Sequence, residues 1–248
     1  NRLISSGTWI TATSPQPPSS AAPVRKTTAE VYKDHVSENA VTLSLDNMEV
    51  LSVINFDDYN VYFVGEMHAT AKNTDIKLAF IKYLNENYGV RYIFEEYGYC
   101  SAFKLNEYFK SGDASILAEQ LKDLKGTLSY SKEHYDFYVN LYEWNKTLPE
   151  NERIFLIGVD LQHQIRYGRK VLSAILDNGK EMPKNVENIY NVLTADKISQ
   201  DDLSAAFDDF CENEEVFKDY LSESYMDFYF GFRSIQQRIE YNKDINSG

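Results

Sequence analysis

Cysteine, positive charge and long apolar runs are all scarce in this chain of 248 residues. Only Cys100 and Cys211 occur, which supports neither a disulfide framework nor a zinc site made of cysteines. Lys and Arg number 25 against 38 Asp and Glu, so the formal net charge is −13. This balance argues against binding to nucleic acids and to anionic membranes. No window has the ~20 apolar residues of a membrane span, so we expect no membrane insertion.

What the chain does contain suits a folded domain with an organic ligand. Apolar residues make up 43% of the sequence, and there are 19 Tyr and 14 Phe. Aromatic side chains favour a pocket for a small molecule, which is the partner that we expect. The P-loop, G-x-S-x-G and G-x-G-x-x-G motifs are missing from the sequence, so nucleotide-binding and serine-hydrolase functions lose their usual support.

Proline is concentrated near the start of the chain. Four of the six prolines are Pro15, Pro17, Pro18 and Pro23, in a segment rich in Ser, Thr and Ala. We therefore predict a flexible tail or linker over residues 1–28 and a domain over residues 29–248.

Three short runs of β-branched and aromatic residues predict strands buried on both faces, as in a parallel sheet. They are Val61–Val64, Tyr92–Phe94 and Ile154–Ile157.

The spacing of apolar residues predicts a helix between the first two runs, with Asn73 or Thr74 as its cap and Gly89 as its end. The residues with this spacing are Ile76, Ala79, Phe80, Tyr83 and Leu84. Further helices are predicted over 101–110, 114–124, 131–147, 164–178 and 214–241. The predicted fold class is α/β, with a mainly parallel sheet flanked by helices. Because three strands are few, we expect a fragment, or strands supplied by a later segment.

Acidic residues follow each of the three predicted strands. Glu66 and His68 follow the first strand, Glu96 the second, and Asp160, Gln162 and His163 the third. Ligands of open parallel sheets bind at the carboxyl ends of the strands, so this edge is the predicted site. Neighbouring carboxylates would raise the pKa of His68 and make it a better base near neutral pH.

Other candidates at this edge remain open. Glu95 and Glu96 diverge in a strand, so only one of them faces the site. Cys100 is a minor candidate nucleophile, whereas a buried, inert thiol is the commoner outcome. His163 is either a ligand or a loop histidine, and His35 and His134 are predicted to be structural or surface residues.

The ordered motifs resemble the erythromycin esterase family, within a wider group that includes ChaN-like haem-binding proteins and Tiki-type proteases. The matching pieces lie within residues 45–165. They are Gly65–His68, Glu96, Asn106–Tyr108, Gly112-Asp113, Glu133, Glu143–Asn145 and Ile157–Gln162. The esterases have two residues between the glutamate and histidine of the first motif, whereas this chain has only Met67, as in the ChaN-like branch. They also place further histidines downstream, in a part that we expect to be missing from this chain.

The resemblance implies an erythromycin esterase/ChaN-like α/β domain over residues 29–248, whose C-terminal part we expect to be missing. It implies a hydrolase in which His68 activates water against an ester or lactone carbonyl. Glu66 and Glu96 are its charged partners, and Asp160 supports the site. Lys77, Tyr97 and Gln162 are the implied substrate-binding residues.

Two alternatives use the same edge. Glu66, His68 and Glu96 would suit Mn or Zn in a metal-dependent hydrolase. The ChaN-like resemblance allows haem beside Tyr97 and Tyr99. The sequence leaves the substrate, the oligomeric state and the compartment open, since it fits a cytoplasmic and an exported protein alike.

Overall fold

The computed structural model describes residues 26–40, 42–45, 47–53, 56–67 and 70–247. The chain divides into two units, Asn1–Val64 and Gly65–Gly248. Most of the predicted tail, residues 1–25, lies outside the described residues. The boundary near residue 28 therefore stays a prediction.

The described part of the first unit has one helix, α1 (Thr28–Asn39), and a 3-10 helix (Glu49–Val53). Thr27 begins α1 through a capping box with Glu30, in which each side chain accepts a backbone N–H of the other residue. None of the side chains of α1 is buried.

The predicted strand over Val61–Val64 is wrong. These residues form neither helix nor strand, and Phe63 is 86% exposed. The Tyr62 hydroxyl lies 2.9 Å from the carbonyl oxygen of Phe56 and 2.8 Å from that of Tyr59, which are local contacts. A short apolar run is compatible with a strand, but its own sequence does not supply the neighbouring strand that pairing requires.

The described part of the second unit contains two strands and nine helices. The strands are β1 (Tyr92–Gly98) and β2 (Phe155–Asp160). The helices are α2 (Lys72–Tyr88), α3 (Tyr99–Ser111), α4 (Ala114–Asp123), α5 (Lys132–Asn145), α6 (Ile165–Leu176), α7 (Lys184–Thr194), α8 (Gln200–Glu212), α9 (Glu214–Leu221) and α10 (Tyr225–Ser247). Short 3-10 helices lie at Glu150–Glu152 and Ser222–Ser224.

Strands β1 and β2 pair in parallel, with Tyr92 opposite Phe155 and Glu95 opposite Gly158. The register shifts between Glu95 and Gly98. Helices α3, α4 and α5 connect the two strands, as a parallel pair requires a long crossover. A mixed helical and parallel-strand fold is thus confirmed, although helices dominate and the described sheet has only two strands.

Two apolar clusters form the core of the second unit. One packs β1 and β2 against α2, α3, α4 and α5 through residues such as Leu105, Phe137 and Leu141. The other packs the five helices α6, α7, α8, α9 and α10 together, and it includes Phe210, Phe217, Phe228 and Phe232. The ring pairs in this second cluster have centroids about 5 to 6 Å apart, a favourable aromatic packing distance.

Within the described part of the chain the sheet is covered on one face only, so the prediction of strands buried on both faces is wrong for these residues. Ile93 and Leu156 pack into the first apolar cluster. Tyr92, Phe94 and Val159, on the opposite face, are 56%, 62% and 62% exposed. The runs are apolar on both faces, so the sequence alone could not show that one face lacks a cover among the described residues.

The helix predictions succeed in position but miss some caps and elements. Helix α2 ends at Gly89 in the left-handed conformation, as predicted. The predicted cap is wrong: the helix begins after Ala71, and the Thr74 hydroxyl donates back to the carbonyl of Ala71. Helices α7 and α8 were not predicted, and the long helix predicted over 214–241 is interrupted at residues 222–224. No helix in the described ranges combines the length and apolar composition needed to cross a bilayer.

Candidate functional site

The candidate site lies on the covered face of β1, where a buried carboxylate meets a lysine. Glu95 Oε2 accepts a hydrogen bond from Lys77 Nζ of α2 at 2.5 Å. The side chain of Glu95 is only 5% exposed, against 26% for that of Lys77. Burial raises the pKa of Glu95, and the negative charge of Glu66 adds to this effect, while Lys77 opposes it. Two carboxylates and one lysine are therefore electrostatically coupled here.

A histidine and two tyrosines extend this cluster. The Tyr97 hydroxyl, also on the covered face of β1, hydrogen-bonds with His134 Nε2 of α5. The ring of His134 also packs edge-on against Tyr138, with centroids 5.2 Å apart. Burial and the charge of Lys77 lower the pKa of His134 to about 4, so its imidazole is neutral near pH 7. Burial raises the pKa values of Tyr97 and Tyr138 in turn, so both remain protonated phenols.

The first sequence motif reaches this cluster through Glu66. Burial is the main cause of the raised pKa values of Glu95, Tyr97 and Tyr138, and the charge of Glu66 adds to all three, so Glu66 is within electrostatic range of the cluster. Next to Glu66, the Met67 carbonyl accepts a hydrogen bond from Asn73 in the first turn of α2. His68, the predicted general base, lies outside the described residues.

Glu96 lies on the other side of the strand from Glu95. Successive strand residues point to opposite faces, and Glu96 is exposed beside Phe94 while Glu95 is buried. Glu95 is therefore the one of these two glutamates whose ion pair with Lys77 is described. The role predicted for Glu96 as a charged partner of His68 stays a prediction, because His68 lies outside the described residues.

The end of β2 contributes Asp160 and Gln162, which lie in different surroundings. Asp160 Oδ2 is 3.2 Å from His163 Nε2, and Asp160 Oδ1 accepts the Leu161 N–H at 2.7 Å. Gln162 is fully buried, and its Oε1 has no hydrogen-bond partner within the described part of the chain. A Cβ at Gly98 would lie 2.3 Å from that oxygen, so Gln162 packs directly on the end of β1. This arrangement suits a supporting role for Gln162.

The described residues give limited support for a metal or haem. Nowhere in these ranges do three or more His, Cys, Asp or Glu side chains gather closely enough to hold a metal ion. The predicted metal set Glu66, His68 and Glu96 includes a residue outside those ranges. Of the two tyrosines offered to haem iron, Tyr97 bonds to His134, and the Tyr99 hydroxyl donates to Asp227 at 2.8 Å. Cys100 is buried, and burial raises its pKa to about 12, which fits an inert thiol.

Two residues of the cluster were missed in the sequence. Glu95 was weighed against Glu96, but both faces of the run are apolar, so alternation could not decide between them. His134 was predicted to be structural or at the surface. The available signal was its spacing, because His134 lies four residues before Tyr138 on the predicted helix and so shares its face.

The chain shows a fold similarity to one solved structure at low sequence identity. A protein from Bacillus cereus, known from a crystal structure, aligns with a TM-score of 0.53 and 18% identity over 80% of this chain. The present chain spans only about half, 51%, of that protein. A scan against models of protein families and a search of curated proteins each find no match. The comparison thus supports the fold and leaves the activity to chemical argument.

Proposed function

We propose that this chain is a hydrolase of the erythromycin esterase type, acting on an ester or lactone carbonyl. The observation that carries the proposal is the convergence of Glu66, Lys77, Glu95 and His134 from four separate segments. Burying a carboxylate and a histidine is unfavourable to folding, and such groups are commonly found at functional sites. The ordered motifs of the sequence support the same assignment.

In the proposed reaction, His68 takes a proton from water while the water oxygen bonds to the carbonyl carbon. The carbonyl π electrons move to oxygen and form a tetrahedral oxyanion. When this intermediate collapses, the bond between carbon and the alcohol oxygen breaks, and the alcohol oxygen receives the proton from His68. The products are a carboxylic acid and an alcohol, so the histidine ends in its starting state.

The described residues would divide the supporting roles. Glu66 and Glu95 favour the protonated imidazole that forms during the attack, because negative charge stabilises a nearby cation. Lys77 supplies positive charge for the developing oxyanion, and its bond to Glu95 fixes its position. Tyr97, oriented by His134, offers a hydroxyl to the substrate, while Asp160 and Gln162 support the strand ends. Glu95 is proposed for this role because it lies on the face of β1 that Lys77 and His134 share.

The test is hydrolysis of p-nitrophenyl acetate, p-nitrophenyl butyrate and erythromycin by the full chain. We expect His68→Ala to lower kcat/KM by about a hundredfold or more, since a general base contributes roughly that much. His35→Ala is the matched control, because His35 is an exposed histidine of α1 and should leave the rate unchanged. Equal rates for wild type and His68→Ala, with intact folding by circular dichroism, would refute the proposed base. Inactivity of the wild type on all three probes would count against the substrate class.

A further inference from the structure

A cleft lies between α4 and α6, and none of its lining residues belongs to the Glu95 cluster. The cleft has a volume of about 570 Å³, within the range of small-molecule sites. Lys170 of α6 forms an ion pair with Glu119 of α4 across it. The ion pair therefore connects the two helices, and the cleft lies beside it.

Two further cations line the cleft, one on each helix. Lys122 belongs to α4 and Arg166 to α6, and neither side chain has a hydrogen bond or ion pair with another described residue. Both act on Asp123, the remaining acidic residue of the cleft, by lowering its pKa against the stronger effects of burial and Glu119. The cleft is lined by three cations and two acids, so its local charge is positive although the formal net charge of the chain is −13.

Tyr167 provides a third donor in the same cleft. Its side chain is 5% exposed, and its hydroxyl has no hydrogen-bond partner among the residues described. Burial raises the pKa of Tyr167, and the negative charges of Glu119 and Asp123 add to this effect. A buried hydroxyl without a partner is unfavourable in the free protein, and an incoming acceptor oxygen would relieve this.

We propose that the cleft between α4 and α6 binds a small organic anion through Lys122, Arg166 and the Tyr167 hydroxyl. The ligand is an organic phosphate or carboxylate, because both present several acceptor oxygens to a guanidinium and an ammonium group. The ion pair between Lys170 and Glu119 holds the walls together, so those two residues position the site. Neither the cleft nor its residues take part in the proposed hydrolysis.

The binding test uses isothermal titration of the full chain with sodium phosphate and, separately, with sodium succinate, at constant ionic strength. We expect saturable binding at one site in at least one of the two titrations, and the anion that binds more tightly identifies the ligand group. Arg166→Gln should weaken this binding by about tenfold, a typical value for losing a charged hydrogen bond. Lys184→Gln is the matched control, since it removes an exposed cation from α7 and should leave the affinity unchanged.

Tyr167→Phe separates ligand binding from structure. This variant removes only the hydroxyl, so it should weaken the anion severalfold while the thermal unfolding midpoint stays the same or rises. Absence of saturable binding to the wild type in both titrations would overturn the proposal. Unchanged affinity in Arg166→Gln or in Tyr167→Phe would overturn it as well.

Discussion

Glu95 and His134 show how one buried environment moves two titratable groups in opposite directions. Burial penalises the charged form of each, so the pKa of the carboxyl rises and that of the imidazole falls. The stability contributed by Glu95 is present below its ordinary pKa and is lost as pH rises through the raised folded pKa. The stability contributed by His134 is present above 6.5 and is lost as pH falls towards about 4.

This gives a prediction for His134→Gln. The unfolded wild-type chain gains a proton below pH 6.5 while the folded chain resists it down to about pH 4. The free energy of unfolding of the wild type should therefore fall by up to about 3 kcal/mol between these pH values because of His134. The free energy of unfolding of the variant should lack this part of the pH dependence. Urea unfolding at pH 7, 6, 5 and 4 measures it, and parallel curves for the two proteins would contradict the buried, neutral histidine.

At the scale of elements, local signals decide where helices begin and end, and tertiary contacts decide which strands form. Gly89 ends α2 and Ser199 begins α8 with a capping box, and both signals are readable in the sequence. The connection between α9 and α10 is different. Ser222 there has φ 52° and ψ −116°, a backbone conformation that a side chain disfavours.

We expect Ser222→Gly to stabilise the protein by about 1 kcal/mol, because glycine adopts this conformation without steric strain. The thermal midpoint should rise by about 2–4 °C in a domain of this size. Ser224→Gly is the matched control, since Ser224 lies in the same 3-10 helix without a positive φ. We expect the Ser224→Gly protein to be less stable than the wild type. A lower midpoint for Ser222→Gly than for the wild type would show that the turn is not strained.

At the scale of the whole molecule, the positions of most helices and of two strands could be predicted from the sequence, but the face of the sheet that carries the proposed site could not. Periodicity reports local structure, so β1, β2 and the positions of most helices could be predicted from the sequence. The choice between Glu95 and Glu96 depends on which side of β1 the helices α2 and α5 cover, which is a long-range property. The same limit explains the failed strand at Val61–Val64, which has the apolar pattern of a strand but pairs with no strand in the described ranges.

The proposed site and the exposed sheet face are thus two sides of one strand. Glu95 and Tyr97 point to a cluster with Lys77 and His134, whereas Phe94 and Glu96 point outward. If hydrolysis occurs at the covered face, substitutions of Glu95 and of Glu96 must change the rate of hydrolysis differently, although the two residues are neighbours in the sequence.

The most direct measurement is kcat/KM for Glu95→Gln and Glu96→Gln, with whichever ester or lactone probe the wild type hydrolyses. Glutamine preserves the side-chain shape and removes the charge, so the two variants test the covered and the exposed face of β1 in turn. We expect Glu95→Gln to lower kcat/KM by about tenfold or more, and Glu96→Gln to remain within about twofold of the wild type. A loss in Glu96→Gln with an unaffected Glu95→Gln would contradict the account and return the site to the opposite face of the sheet.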